Sequence, residues 1–154
     1  MIGIIVDNVI NNPENYVMFR ELNKLSEKYD CYLFVNSING MPIKPRFAIL
    51  QQVEAMAHKG TLISTSILNT QVVANCLTAK DKFFYVTKPE WKNLNNFGAS
   101  QLDKMFYNDD VKLIAGSNSY YSLINKLFKR PSGVVIGWDA KQLEKVVNDD
   151  ELYE

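Results

Sequence analysis

Few residues of this chain carry reactive groups in a usable arrangement, and most of them directly follow short apolar runs. Asp7 and Asn8 come after residues 2–6, and Ser64-Thr65-Ser66 closes the run 61–64. Lys88-Pro89-Glu90-Trp91 comes just after the run 83–86, and Gly116-Ser117-Asn118-Ser119 follows 111–115. A carboxylate such as Asp7 or Glu90 can orient a ligand hydroxyl or take its proton, so both are candidate catalytic bases. Glu90 beside Trp91 pairs hydroxyl bonding with a surface for stacking, which suits a sugar or a nucleobase. Hydroxyls that open a helix, at Thr65-Ser66 and Ser117-Asn118, can receive an anion together with the helix amides. Each feature also has a plain structural reading. Asp7 can bond its own backbone in a turn, Ser66 and Ser117 can be helix caps, and Trp91 can cover the sheet edge. Trp138-Asp139 repeats the aromatic and acidic pairing, but Asp139-Ala140-Lys141-Gln142 has capping-box spacing, so structure is expected there.

Those side chains meet only if the runs before them lie side by side and point one way. Six runs qualify, at residues 2–6, 31–35, 61–64, 83–86, 111–115 and 134–136. Continuous apolar sequence marks strands buried on both faces, and alternation with helical patterns marks βαβ units. The spacing predicts an α/β fold, a three-layer αβα sandwich in one Rossmann-like domain over residues 1–147. Its sheet is mostly parallel with about six strands, and 148–154 forms an acidic, frayed tail. Strand one is expected at the centre, with the second and third runs on one side and the rest on the other. Ligands in such sheets bind beyond the carboxyl ends of the strands, where the strand order reverses.

The helices are read from caps and spacing. Asn12-Pro13-Glu14 starts one that carries Tyr16, Phe19, Leu22 and Leu25. A second is expected after Asn39-Gly40-Met41-Pro42, with Phe47, Leu50, Val53, Met56 and Ala57 on one side. Ser66 caps a third, burying Leu68, Val72, Val73 and Leu77. Residues 87–100 are expected to be irregular and 101–107 to form a short helix. Two more helices carry Tyr120, Leu123, Ile124, Leu127 and Phe128, then Leu143, Val146 and Val147. The expected core contains Ile4, Val6, Leu33, Val35, Leu62, Ile63, Tyr85, Leu113, Ile114 and Val135.

Several chemistries are excluded. His58 is the single histidine and falls near the end of a predicted helix, away from the strand tips. That leaves no metal signature and argues against Ser-His-Asp or Cys-His catalysis. No Gly-rich run ends in Lys-Ser or Lys-Thr, and the first turn, Val6-Asp7-Asn8-Val9-Ile10-Asn11-Asn12-Pro13, lacks the dinucleotide glycines. This argues against an ordinary NAD enzyme, and no cofactor is expected. Lys plus Arg and Asp plus Glu both number 17, so no global basic field points to nucleic acid. No apolar run reaches the roughly 20 residues that span a bilayer, and the amino terminus does not read as a signal peptide. Cys31 and Cys76 sit in apolar stretches and are expected as buried thiols in a reducing, cytoplasmic setting.

The succession Thr61-Leu62-Ile63-Ser64-Thr65-Ser66, Lys82-Phe83-Phe84-Tyr85-Val86 with Pro89-Glu90-Trp91, Lys112-Leu113-Ile114-Ala115-Gly116-Ser117 and Val134-Val135-Ile136 resembles the amino-terminal Rossmann-like half of GT-B glycosyltransferases. It is similar in particular to small glycosyltransferase-like proteins of large tailed bacteriophages, which would put it in the host cytoplasm. The resemblance implies that Asp7, Thr65, Ser66, Glu90 and Ser117 face a cleft, with Asn8, Trp91 and Asn118 beside them. It implies a nucleotide-sugar or sugar-phosphate ligand, and a partner subunit or homodimer, because in that family a second domain supplies most nucleotide contacts. Asp7-Asn8 stands where such enzymes commonly carry a Gly-rich turn. A non-catalytic interaction module, self-associating through Tyr120, Tyr121, Trp91 and Phe97, is the alternative expectation.

Overall fold

The computed structural model describes residues 1–92, 102 and 105–149, and the fold is given for these. Seven strands form one sheet: β1 (Ile2–Ile10), β2 (Cys31–Asn39), β3 (Ala48–Gln51), β4 (Thr61–Ser64), β5 (Asp81–Val86), β6 (Lys112–Ala115) and β7 (Gly133–Val134). Every pairing is parallel, and the order is β3-β2-β1-β4-β5-β6-β7. Helices α1 (Pro13–Leu25), α2 (Ile67–Asn75), α3 (Asn118–Leu127) and α4 (Ala140–Asn148) cover its two faces. The expected Rossmann-like α/β sandwich is present, with seven strands in place of about six.

Alternation along the strands divides the core. Ile4, Leu33, Ile63, Tyr85 and Ile114 point to one face and pack with Phe19 and Leu22 of α1 and Leu143 of α4. Their neighbours Ile5, Phe34 and Leu62, with Phe84 and Leu113, point to the other face beneath α2 and α3. All ten residues expected in the core are buried. Cys31 and Cys76 are free and buried, and burial pushes the Cys31 thiol up to about 11. Among the described residues, no helix is long and apolar enough to cross a membrane.

Four expectations are corrected. The helix expected around residues 47–57 is absent. Ala48–Gln51 pairs with β2 as the edge strand, and Gln52–Ala57 is a short 3-10 helix that leaves Val53 76% exposed. That unforeseen strand takes the place beyond β2, so Thr61–Ser64 lies on the opposite side of β1. The buried stripe of α2 is Ile67, Thr70 and Val73, whereas Leu68 and Leu77 are exposed, because a polar Thr70 on the inner face hides the true period. β1 does not stop at Val6: β2 continues beside it, pairing Asn8 with Ser37 and Ile10 with Asn39. Asp7 therefore stands within a strand and not in a turn. The helix expected over 101–107 and the tail 148–154 fall partly outside the described residues. So do most of the irregular stretch 87–100 and Phe97.

Glu21 joins α1 to α4 from a buried position, accepting from Ala140 N–H at 3.1 Å, Lys24 Nζ at 2.8 Å and Arg20 Nε at 3.0 Å. Burial pushes its carboxyl up, but the bonds from Lys24, Ala140 and Arg20 outweigh this and hold it below the ordinary value of 4.5. A depressed carboxylate contributes stability that is present above its unfolded pKa and lost as pH falls through the folded one. Glu21→Gln is expected to cost about 1–2 kcal/mol at neutral pH, with the gap closing below pH 4.5, as read from urea unfolding across pH. Ile114, fully buried between β5 and β7, tests the sheet itself. Ile114→Asp should abolish soluble expression, since an unpaired charge there is prohibitive, and wild-type melting of a soluble variant would contradict the topology.

Candidate functional site

The site begins with a mismatch in strand length. β1 pairs with β4 only through Ile5 and Ser64, while its other edge stays paired with β2 as far as Ile10. Between β1 and β4 the chain also reverses its order across the sheet, which leaves a crevice beyond the shorter strand. Asp7, Asn8 and Ile10 of β1 border that crevice, and the starts of α1 and α2 and the loop after β5 complete it. The cavity has a volume of about 400 Å³. Asp7, Asn8, Thr65, Ser66 and Glu90 all line it, together with Asn12, Glu14, Asn15, Thr87, Lys88 and Trp138.

Asn69 holds the crevice in shape. Its side chain is 2% exposed, and its Oδ1 accepts from the Thr65 N–H at 2.9 Å and the Ser66 N–H at 3.0 Å. Its Nδ2 donates to the Ile5 carbonyl and the Thr65 hydroxyl, both at 3.3 Å, and reaches Asp7 Oδ1 at 3.5 Å. The Thr65 hydroxyl donates to the same Ile5 carbonyl at 2.8 Å. One buried amide thus ties the middle of β1, the end of β4 and the first turn of α2 together. Ser66 caps that helix, its Oγ accepting from Asn69 N–H at 3.2 Å.

Glu90 reaches the same helix from the far side, where its Oε2 accepts from the Ile67 N–H at 2.7 Å. Burial pushes its carboxyl up, and the charge on Asp7 adds to this, while the Ile67 N–H and Lys88 oppose it. A carboxyl raised in this way holds a proton more readily than a free glutamate does.

Three predicted residues lie elsewhere. Trp91 is buried, edge-on to Phe106 at 5.8 Å, Tyr120 at 6.3 Å and Phe128 at 5.8 Å, and does not line the cavity. Ser117 accepts from Tyr120 N–H at 3.1 Å as the cap of α3. Gly116 explains why Ser117 and Asn118 turn away: its N–H donates to the Val86 carbonyl at 2.9 Å, so closely that a Cβ would meet that oxygen at 2.8 Å. β6 is thereby held to the end of β5, and α3 starts outside the crevice. Tyr120 and Tyr121 are half-buried against the same aromatic cluster and form no open aromatic face.

The aromatic wall is Trp138. Gly137 at φ 57° and Trp138 at φ 62° are consecutive left-handed residues, and they fold the indole back to meet Tyr85 edge-on at 4.7 Å. The Tyr85 hydroxyl donates to the Val135 carbonyl at 2.7 Å, which fixes the ring that Trp138 leans on. A left-handed tryptophan is strained, and such residues concentrate at functional sites. The glycine just before an aromatic was the available sequence signal. His58 lies outside the cavity, buried between Tyr32 and Phe34 and bonded to the Thr61 carbonyl at 3.0 Å. Burial holds its imidazole below the ordinary value. Among the described residues no group of three or more His, Cys, Asp or Glu is placed to hold a metal.

The chain matches no family model, no curated protein and no solved structure. Its site is therefore read from its own geometry.

A carboxyl with a raised folded pKa contributes stability below its unfolded pKa, and that contribution is lost as pH rises through the folded value. Glu90→Gln keeps an acceptor for the Ile67 N–H while removing the charge. Its melting temperature should equal or exceed wild type at pH 7, and the difference should vanish toward pH 4.5. Glu90→Ala, which leaves Ile67 without that acceptor, should cost about 1 kcal/mol at pH 7, measured by the same melts.

Proposed function

We propose that this domain binds a hydroxyl-rich ligand of the sugar class in the crevice and serves as the acceptor-holding half of a glycosyltransferase-like protein. The convergence of Asp7 and Glu90 with amide and hydroxyl side chains beside an indole carries this reading. Sugars are recognised by carboxylates and amides that exchange hydrogen bonds with several hydroxyls, and by an aromatic wall against the C–H face. A volume of about 400 Å³ suits one or two rings.

In transfer, the bound acceptor hydroxyl gives its proton to Glu90, the acceptor oxygen bonds to the sugar's anomeric carbon, and the bond from that carbon to the nucleoside diphosphate breaks. Glu90 is taken as the base, because burial and the charge on Asp7 raise its proton affinity. A partner subunit would supply the diphosphate contacts, in keeping with the side-chain capping of both helix starts here.

The chain has only two tryptophans, so Trp91→Phe isolates the emission of Trp138. Titration with glucose, galactose and their uridine diphosphate derivatives, followed by Trp138 emission and calorimetry, should show binding of at least one sugar moiety. Asp7→Asn should weaken it about tenfold. Absence of heat and emission change with every probe would end this reading.

A second reading, a non-catalytic interaction module, draws support from a different surface. Leu77 is 94% and Val53 76% exposed, and Cys76 and Thr78 on either side of Leu77 both bond the Met56 carbonyl. Light scattering at high protein concentration separates the two, since a strictly monomeric chain argues against a self-associating scaffold.

A further inference from the structure

The charge of the crevice narrows the ligand further, provided the crevice is the sugar site read above. Three carboxylates line it, those of Asp7, Glu14 and Glu90, against one ammonium, that of Lys88. Asp7 and Glu14 make no ion pair with any described cation. Glu21, the buried carboxylate elsewhere in the chain, has two such partners.

Several of the amides that would receive an anion are taken by the protein itself. At α2 the Ile67 N–H is taken by Glu90 and the Asn69 N–H by Ser66. At α1 the Asn15 N–H is taken by the Asn12 side chain at 2.7 Å, and Pro13 has no N–H to offer. A phosphate entering the crevice would meet like charge and find several of the amide donors that normally receive it already taken.

An unused donor also stands on the cavity wall. Trp138 is 7% exposed, lines the cavity, and its indole N–H has no hydrogen-bond partner among the described residues. A ligand oxygen can accept from this N–H, and ligand donors can meet Asp7 and Glu14. A hydroxyl supplies the first. A protonated amine supplies the second and neutralises the excess charge.

We infer that the crevice selects an amine-bearing sugar, a hydroxylated ring with a protonated amino group, over neutral and phosphorylated sugars. Asp7 and Glu14 receive the ammonium, Trp138 donates to a ring hydroxyl, and the sugar lies between them.

Three probes of one shape test this in the full chain: glucosamine, N-acetylglucosamine and glucosamine 6-phosphate, with glucose as the reference. Calorimetry at low ionic strength and a pH where the amine is protonated should rank glucosamine at least about tenfold tighter than glucose and N-acetylglucosamine. Its 6-phosphate should be weaker than glucosamine. Raising salt should narrow the advantage, because screened charges attract less. The double variant Asp7→Asn, Glu14→Gln should remove the preference while glucose binding persists in weakened form. Equal affinity for glucosamine and glucose, tighter binding of the phosphate, or a preference that survives the double variant would overturn this inference and leave the sugar reading intact. Failure of every sugar to bind would overturn the sugar reading itself and this inference with it.

Discussion

The Asn69 carboxamide is the interaction on which the crevice depends. Where β4 ends at Ser64, β1 continues alone on that side, and the backbone groups at the parting of two strands lose their ladder partners. Asn69 replaces those partners from within α2, accepting two amides at the end of β4 and donating to a β1 carbonyl. A residue that serves two strands and its own helix fixes their relative positions. Alanine there would leave several buried groups unpaired at once, at about 1–3 kcal/mol for each.

From that constraint the electrostatics of the site follow. Because Asn69 and Ser66 close the start of α2 from one side, the remaining Ile67 N–H is open only toward β5, and Glu90 fills it. The positive end of the helix is thus met by a fixed carboxylate and not by a bound phosphate. Asp7, held near Glu90 by the same amide, raises the proton affinity of its neighbour. One arrangement therefore caps a helix, keeps the crevice acidic and keeps a proton acceptor ready at its rim. Trp138 belongs to the same logic from the other wall, where a left-handed tryptophan after Gly137 leans on Tyr85 and lines the cavity.

The strands buried on both faces were legible because burial on both sides demands unbroken apolar sequence. β3 escaped notice because an edge strand needs less: only Ile49 and Leu50 are even partly covered, and the following Val53 and Met56 imitate a helical stripe while facing solvent. The candidate residues at β1, β4 and β5 were legible from parallel topology alone, and Asp7, Asn8, Thr65, Ser66 and Glu90 do meet. The choice of indole was not. Trp91 and Trp138 both follow strands and both neighbour an acid, and only the chain path separates them: the turn after β5 drops Trp91 into the aromatic cluster under α3, while Gly137 turns Trp138 the other way. Asn69 was invisible for a simpler reason, since a buried asparagine on a short helix resembles a surface residue until its partners are known.

The crevice draws one wall from β1 and α1 and another from residue 138, close to the last helix of the described chain. Contacts so distant along the chain carry the cost of closing a long loop, since parallel strands pair only through crossovers. Every intermediate that lacks the final turn lacks the indole as well. A nascent chain still on the ribosome, or any fragment ending before β7, holds the carboxylates without the surface they work against. The crevice therefore has both walls only in a chain that has reached residue 138 and closed its sheet.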